Sequence, residues 1–267
     1  MPGPAMRPIG DNPAMTQTPS GRSTGRGNDA RTHEIAAMFD RIAGVYDPMN
    51  LAISGFQEPR WRRRLVAATG LQAGGRAVDV ATGTGKVAAD LARRAGPGGR
   101  VVGVDISPAM LAVARRRLGQ LPGLEFAEGD GLALPIEAGW ADAATIAFGM
   151  RNLPDYEAGF RELRRVVRPG GVVACLEIAR PRSRGARALR WWFDRVVPAI
   201  GRLVGQGDAY GYLVRSVQAY PPPDRIAELM RAAGLTSVRW APLSAGIVTL
   251  HVGRVPIHAP STSPPPR

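Results

Sequence analysis

Cysteine, lysine and aromatic side chains are scarce in this chain: one cysteine, one lysine and 6% aromatics among 267 residues. A single cysteine excludes an intrachain disulfide. Cys175 stands inside the apolar run Gly171-Val172-Val173-Ala174-Cys175-Leu176, where a thiol packs as a small core residue. The aromatics are too few and too scattered to build a stacking platform for single-stranded RNA. No segment approaches 18 uninterrupted apolar residues and no signal-peptide core appears near the N-terminus, so a cytoplasmic location is expected. The lack of lysine also qualifies the net charge of +13, because every basic residue except Lys86 is arginine. Such a ratio, beside abundant Ala, Gly and Pro, points to a GC-rich coding bias, and no specific nucleic-acid partner is expected.

What is present is enough apolar sequence, 45%, to bury one substantial core. Residues 1–32 are rich in Pro, Gly, Ser, Thr and Arg without apolar periodicity, and 256–267 are similar, so both ends are expected to be disordered around a folded unit at 33–255. Within that unit, strands are expected near 76–81, 100–105, 123–127, 141–147, 171–178, 236–242 and 247–254. Helices fall near 86–95, 108–119, 155–167 and 223–233. This alternation predicts an α/β fold: a mainly parallel seven-stranded sheet with helices on both faces. Two excursions interrupt it, an N-terminal helical lid from His33 to Ala68 and an insertion from Arg180 to Tyr220 after the fifth strand. Loops beyond the C-terminal ends of parallel strands lie over the ligand crevice, so both excursions should line the substrate pocket. The insertion carries Leu189, Trp192, Phe193, Val196, Val197, Ile200, Leu203 and Val204 at helical spacing, interrupted at Pro198. That pattern suits an amphipathic helix on the core, a lid over an apolar ligand, or a peripheral membrane contact.

The strongest local signal is Val78-Asp79-Val80-Ala81-Thr82-Gly83-Thr84-Gly85 followed by Val101-Val102-Gly103-Val104-Asp105. It reads as strand, glycine turn, helix, strand, acid, which is the frame of an adenosine-binding site. Gly83 and Gly85 let the backbone approach a ligand closely, and the carboxylate of Asp105 can accept from two ribose hydroxyls. A dinucleotide fingerprint needs a third glycine that is absent here. A triphosphate loop also fails, since Val80 and Val87 stand where its first glycine and its Ser or Thr belong. A cofactor without phosphate, S-adenosylmethionine (SAM), fits this shorter turn; a tight turn in an unrelated α/β protein is the alternative.

Further motifs resemble one family, the quinone-biosynthesis C-methyltransferases that act on demethylmenaquinol or on the methoxy-benzoquinol precursor of ubiquinone. The resemblance spans about 36–254. It is carried by Phe39-Asp40-Arg41-Ile42-Ala43 with Tyr46-Asp47-Pro48-Met49-Asn50, by Asp79 to Gly85, by Phe148-Gly149-Met150-Arg151-Asn152, by Arg168-Pro169-Gly170-Gly171 with Leu176-Glu177, and by Ala245 to His251. It implies a SAM-dependent methyltransferase Rossmann-like fold with Gly83, Thr84, Gly85 and Asp105 on SAM and with Asp130 and Gly131 flanking the adenine. Substrate contacts are expected from Tyr46, Asn50 and Asn152 of these motifs, from Glu177 at the end of the fifth strand, and from Trp192 and Phe193, whose apolar surface in the insertion suits a prenyl tail. Three positions depart from the family pattern: Asp130 where Asn is frequent, Lys86 where an acid is common, and Ala147 in place of a serine.

Methylation at a ring carbon needs an electron-rich ring, so the implied acceptor is a reduced, prenylated quinol, with demethylmenaquinol preferred. No metal is needed. Arg151 can stabilise a developing quinolate oxygen, or pair structurally with a carboxylate. His251 has an ordinary pKa suited to proton removal, or is a core histidine. Asp47 is either an alternative base or a residue that orients the lid, and Glu177 either a substrate ligand or a partner for an arginine. Another phenol or a polyketide is the alternative acceptor. RNA methylation is a third reading, opposed by Ala147-Phe148-Gly149-Met150 where base-amino methyltransferases carry Asn/Asp-Pro-Pro-Tyr.

Overall fold

The computed structural model describes residues 25–179, 195 and 207–257. Helices α1 (Gly25–Ile42), α2 (Tyr46–Ile53) and α3 (Glu58–Ala68) precede the sheet. There follow β1 (Arg76–Val80), α4 (Lys86–Ala95), β2 (Arg100–Asp105), α5 (Pro108–Leu118), β3 (Leu124–Glu128), β4 (Ala141–Ala147), α6 (Tyr156–Val166) and β5 (Val167–Ile178). The chain closes with α7 (Gly207–Ala219), α8 (Pro223–Ala232), β6 (Thr236–Leu243) and β7 (Val248–Arg254).

The strands form one seven-stranded sheet in the order β3-β2-β1-β4-β5-β7-β6. β1 to β5 pair in parallel, and β7 runs antiparallel to both β5 and β6. The expected α/β architecture is therefore present. The central strands are nearly continuous apolar runs because helices cover both faces: Val78, Val80, Ile146 and Val173 pack into one core, Ala77, Val101, Ala174 and Leu176 into the other. The chain winds outward through β1, β2 and β3, then returns to place β4 beside β1. That reversal opens a crevice beyond the carboxyl ends of β1 and β4.

Local chemistry fixes the helix starts around this crevice. Ser107 caps α5 by accepting the Met110 N–H at 3.2 Å, and Asp155 caps α6 by accepting from Ala158 at 2.9 Å. Pro48 falls in the first turn of α2 and Pro59 at the start of α3, where a missing N–H costs little. The lid packs through its own small core, Ile42 and Ala43 against Met110 and Val113 of α5.

Two boundaries differ from expectation. α1 begins at Gly25, so residues 25–32 are helical where disorder was expected; once a helix is nucleated by its packed end, propagation through weak helix formers is cheap. β5 begins at Val167 and runs through the Arg168-Pro169-Gly170-Gly171 turn. Trp192 and Phe193, with most of the insertion, lie outside the described residues, as do both chain ends. Among the described residues no helix is long and apolar enough to cross a membrane.

Candidate functional site

The turn after β1 adopts left-handed backbone at Ala81 (φ +52°), Gly83 (+54°) and Gly85 (+82°). Ala81 thus holds a conformation suited to glycine, with a methyl group to accommodate. Room comes from the turn after β4: a Cβ placed on Gly149 would lie only 2.4 Å from the Ala81 methyl. The two family motifs therefore interlock at this point. Gly83 donates its N–H to Asp105 Oδ2 at 2.7 Å, and Asp105 Oδ1 accepts the Ser107 N–H at 2.9 Å. Burial raises the Asp105 pKa while these main-chain donors pull it down. A carboxylate has about four acceptor sites, so hydroxyl donors can still be accommodated.

Two adjoining cavities open at the crevice. The smaller, about 80 Å³, is lined by Gly83, Asp105, Asp130, Gly131 and Asn152 among others. The larger, about 300 Å³, is lined by Asp47, Asn50, Thr84, Lys86 and Arg151, with Trp61, Phe148, Ile247 and Val248 as apolar wall. Tyr46, Ala81, Gly83, Ala147 and Phe148 border both, so the two spaces meet at the glycine turn. Both excursions reach this site, the N-terminal helices through Tyr46 to Arg62 and the insertion through Leu213 of α7.

Asp47 ties the lid to the turn. It accepts from the Thr84 hydroxyl at 2.7 Å and from Arg117 at 2.6 Å, and it pairs with Lys86 at 3.2 Å. Of the two expectations for Asp47, orienting the lid is the one this geometry favours. It also accounts for the cationic Lys86, whose charge is met by Asp47. The ring of Tyr46 lies over the turn, 3.8 Å from where a Gly83 Cβ would be. Burial raises the Tyr46 pKa against the opposing pull of Arg151, and its phenol is hydrogen-bonded with Asn50.

Arg151 and Glu177 form a buried ion pair, Nη1 to Oε1 at 2.6 Å. Nη1 also donates to the Phe148 carbonyl, and the Arg151 main-chain N–H reaches Glu177 Oε2 at 3.2 Å. Burial works against the guanidinium charge and is the largest single influence, but Glu177 together with Tyr46 and Tyr212 outweighs it and the Arg151 pKa is raised. Arg151 Nε has no partner among the described residues. Glu177 itself lines neither cavity, so the structure gives it the part of counter-ion to Arg151. Asn152 Oδ1 accepts the Tyr212 hydroxyl at 3.1 Å, which links the fourth-strand turn to α7. Asp130 Oδ1 accepts the Leu132 N–H at 2.9 Å and so braces its own loop beside the smaller cavity.

His251 lies away from both cavities. It sits fully buried on β7, opposite Cys175, with Nε2 3.0 Å from the Pro223 carbonyl and its ring beside Trp240. It lines neither cavity, and burial depresses its pKa to about 4. The expectation of a histidine base is corrected accordingly.

Two acids given no role from the sequence matter here. Asp79, 1% exposed, lines the larger cavity and accepts from Thr82 and Thr145 at 2.6 Å each. Burial outweighs these donors and raises its pKa to about 7. An acid inside an apolar strand was the available signal. Asp40 accepts from the Ser107 hydroxyl at 2.5 Å and the Ala109 N–H at 3.2 Å, fastening α1 to the start of α5 beside Asp105.

The model of the ubiE/COQ5 methyltransferase family matches residues 27–255. The chain is 47% identical over 224 residues to a demethylmenaquinone methyltransferase of Thermus thermophilus, covering 82% of this chain and all of the relative. It is 40% identical to one of Roseiflexus castenholzii, covering 84% and 94%. Among solved structures, a SAM-dependent methyltransferase from Thermotoga maritima aligns with a TM-score of 0.58 at 19% identity, over 82% of this chain and 98% of that one. Another from Aquifex aeolicus aligns with a TM-score of 0.52 at 18% identity, over 73% and 89%. At such identities the structural likeness speaks to the fold alone.

Proposed function

The chain belongs to the ubiE/COQ5 methyltransferase family, and from that premise we propose that it transfers the methyl group of SAM to a ring carbon of a prenylated quinol, demethylmenaquinol, to give menaquinol. The observation that carries this reading is the junction of the two cavities. The smaller presents Asp105, suited to ribose hydroxyls, and Asp130 and Gly131, suited to an adenine edge. The larger presents a cation, Arg151, within an apolar wall suited to an aromatic ring and the start of its tail.

SAM, when bound, supplies an electrophilic methyl group; the chain's own residues position the acceptor and steady its charge. Arg151 favours the ionised form of a quinol hydroxyl, which raises electron density at the neighbouring ring carbon. Glu177 holds the guanidinium in place from behind. Methyl transfer would leave the demethylated cofactor as a neutral thioether, and the proton lost from the methylated carbon returns to the ring oxygen, restoring both the aromatic ring and the quinol hydroxyl. Tyr46 and Asn50, fixed over the turn by the Asp47 contacts, exclude water and orient the ring, and such positioning is a major source of rate. Because the acceptor resides in lipid, the protein works as a peripheral enzyme at the inner face of the membrane. In cells lacking this chain the lipid quinone pool should shift to the demethylated form and return on re-expression. An unchanged pool would contradict the reading.

A further inference from the structure

The link between α2 and α3 presents Phe56 to solvent, 72% exposed, at a φ of +62° directly after Gly55 at +56°. Left-handed backbone is strained for an aromatic residue, and an exposed ring recovers none of that cost by packing. The following helix is two-sided. Trp61, Leu65 and Val66 are buried, whereas Arg60, Arg63, Arg64 and Ala67 are exposed at the i, i+3, i+4 and i+7 spacing of one outward stripe. Arg62, off that stripe, is paired with Glu58 and Asp90. No described carboxylate pairs with Arg60, Arg63 or Arg64. Meanwhile Gly55, Gln57, Glu58 and Trp61 line the larger cavity, so the strained loop and the inner side of α3 form its border.

We propose that Phe56 and the Arg60-Arg63-Arg64 stripe dock the protein on an anionic lipid bilayer, with the Phe56 ring in the interface and the larger cavity held against the membrane. Three unpaired guanidiniums match an anionic surface, and their stems can lie along it while the charges reach lipid headgroups. That a prenylated quinol then enters the cavity rests on the functional reading above; the docking itself does not.

The test is co-flotation of the full chain with vesicles of phosphatidylcholine alone or with 30% phosphatidylglycerol, at low and high salt. The protein should bind the anionic vesicles, bind the neutral ones weakly, and be released by salt. Each arginine replaced by serine should lower the partition coefficient about fivefold, and the triple variant about a hundredfold. Phe56→Ser should also reduce partition, while both variants keep wild-type melting temperatures and wild-type turnover of a short-tailed, water-soluble quinol. Absence of binding to anionic vesicles, or equal binding by the variants, overturns the proposal. So does a wild-type dimer in sedimentation velocity that Phe56→Ser dissolves, or tighter binding of the stripe to RNA than to vesicles at the same salt. Failure of the functional reading is distinguishable, since no quinol would then be methylated whatever the vesicle binding.

Discussion

Replacing Glu177 by Gln should destabilise the protein, and replacing Arg151 by Met in the same chain should restore part of what was lost. Glu177 is fully buried and Arg151 is 7% exposed, so neither charge is compensated by water. Glu177→Gln leaves a buried guanidinium without its counter-ion, at a cost of about 3–5 kcal/mol. The main-chain N–H groups of Arg151 and Ile178 are accepted by different Glu177 oxygens, Oε2 at 3.2 Å and Oε1 at 2.8 Å, and Gln has one carbonyl oxygen, so the variant loses the charge and one of these two acceptors. Arg151→Met alone leaves the reverse problem, a buried carboxylate without a cation. The double variant has no buried charge and should be more stable than the Gln variant alone, with a coupling energy of about 2–3 kcal/mol. Urea unfolding of the four proteins at constant pH gives the cycle, and the Gln variant should melt on the order of 10 °C lower. Losses that simply add in the double variant would refute the view of Arg151 and Glu177 as one interdependent pair.

Gly149→Ala should cost about 1–3 kcal/mol by driving its methyl into Ala81, and Ala81→Gly in the same chain should recover most of it; thermal melting of the three variants checks this. Asp105→Ala should weaken SAM binding by roughly 1.5–3 kcal/mol through loss of charge-assisted hydrogen bonds, measured by calorimetry on a variant with a native circular-dichroism spectrum. His251 has a native pKa near 4 against an ordinary 6.5, so the unfolded chain takes up its proton first as pH falls. Its contribution is therefore fully present above pH 6.5 and lost towards pH 4, amounting to about 3 kcal/mol. Asp79, raised to about 7, acts oppositely, favouring the fold at low pH and losing that contribution as pH rises towards 7. The His251 share is thus the difference between wild type and His251→Gln in urea unfolding at pH 7 and 4.5, where the variant should lose less.

Much of the fold was legible because it depends on local spacing. Val78 to Gly85 and Val101 to Asp105 specify strand, turn and strand within a few residues, and the structure puts Asp105 on the Gly83 N–H as well as beside the smaller cavity. Side-chain partners across the fold were less legible. Asp47 meets Arg117 seventy residues away and Arg151 meets Glu177 twenty-six away, choices that only the winding of the sheet decides. His251 shows the same limit. Its position on a core strand was readable, but whether that strand turns the ring towards the crevice or towards the start of α8 was not, and the fold aims Nε2 at Pro223. Ala81 hid a further feature, since a non-glycine residue gives no hint of left-handed backbone.

Methyl transfer from SAM to a quinol ring carbon can be followed in a single labelled reaction. Purified protein is incubated anaerobically with SAM labelled with carbon-13 in its methyl group and with demethylmenaquinol held reduced, and the product is read by NMR. Label should appear in a ring-attached methyl of menaquinol, with none incorporated when the acceptor is supplied as the quinone. Label in a methoxy group, or a quinol left unmethylated by a folded, SAM-binding protein that methylates other phenols, would contradict it.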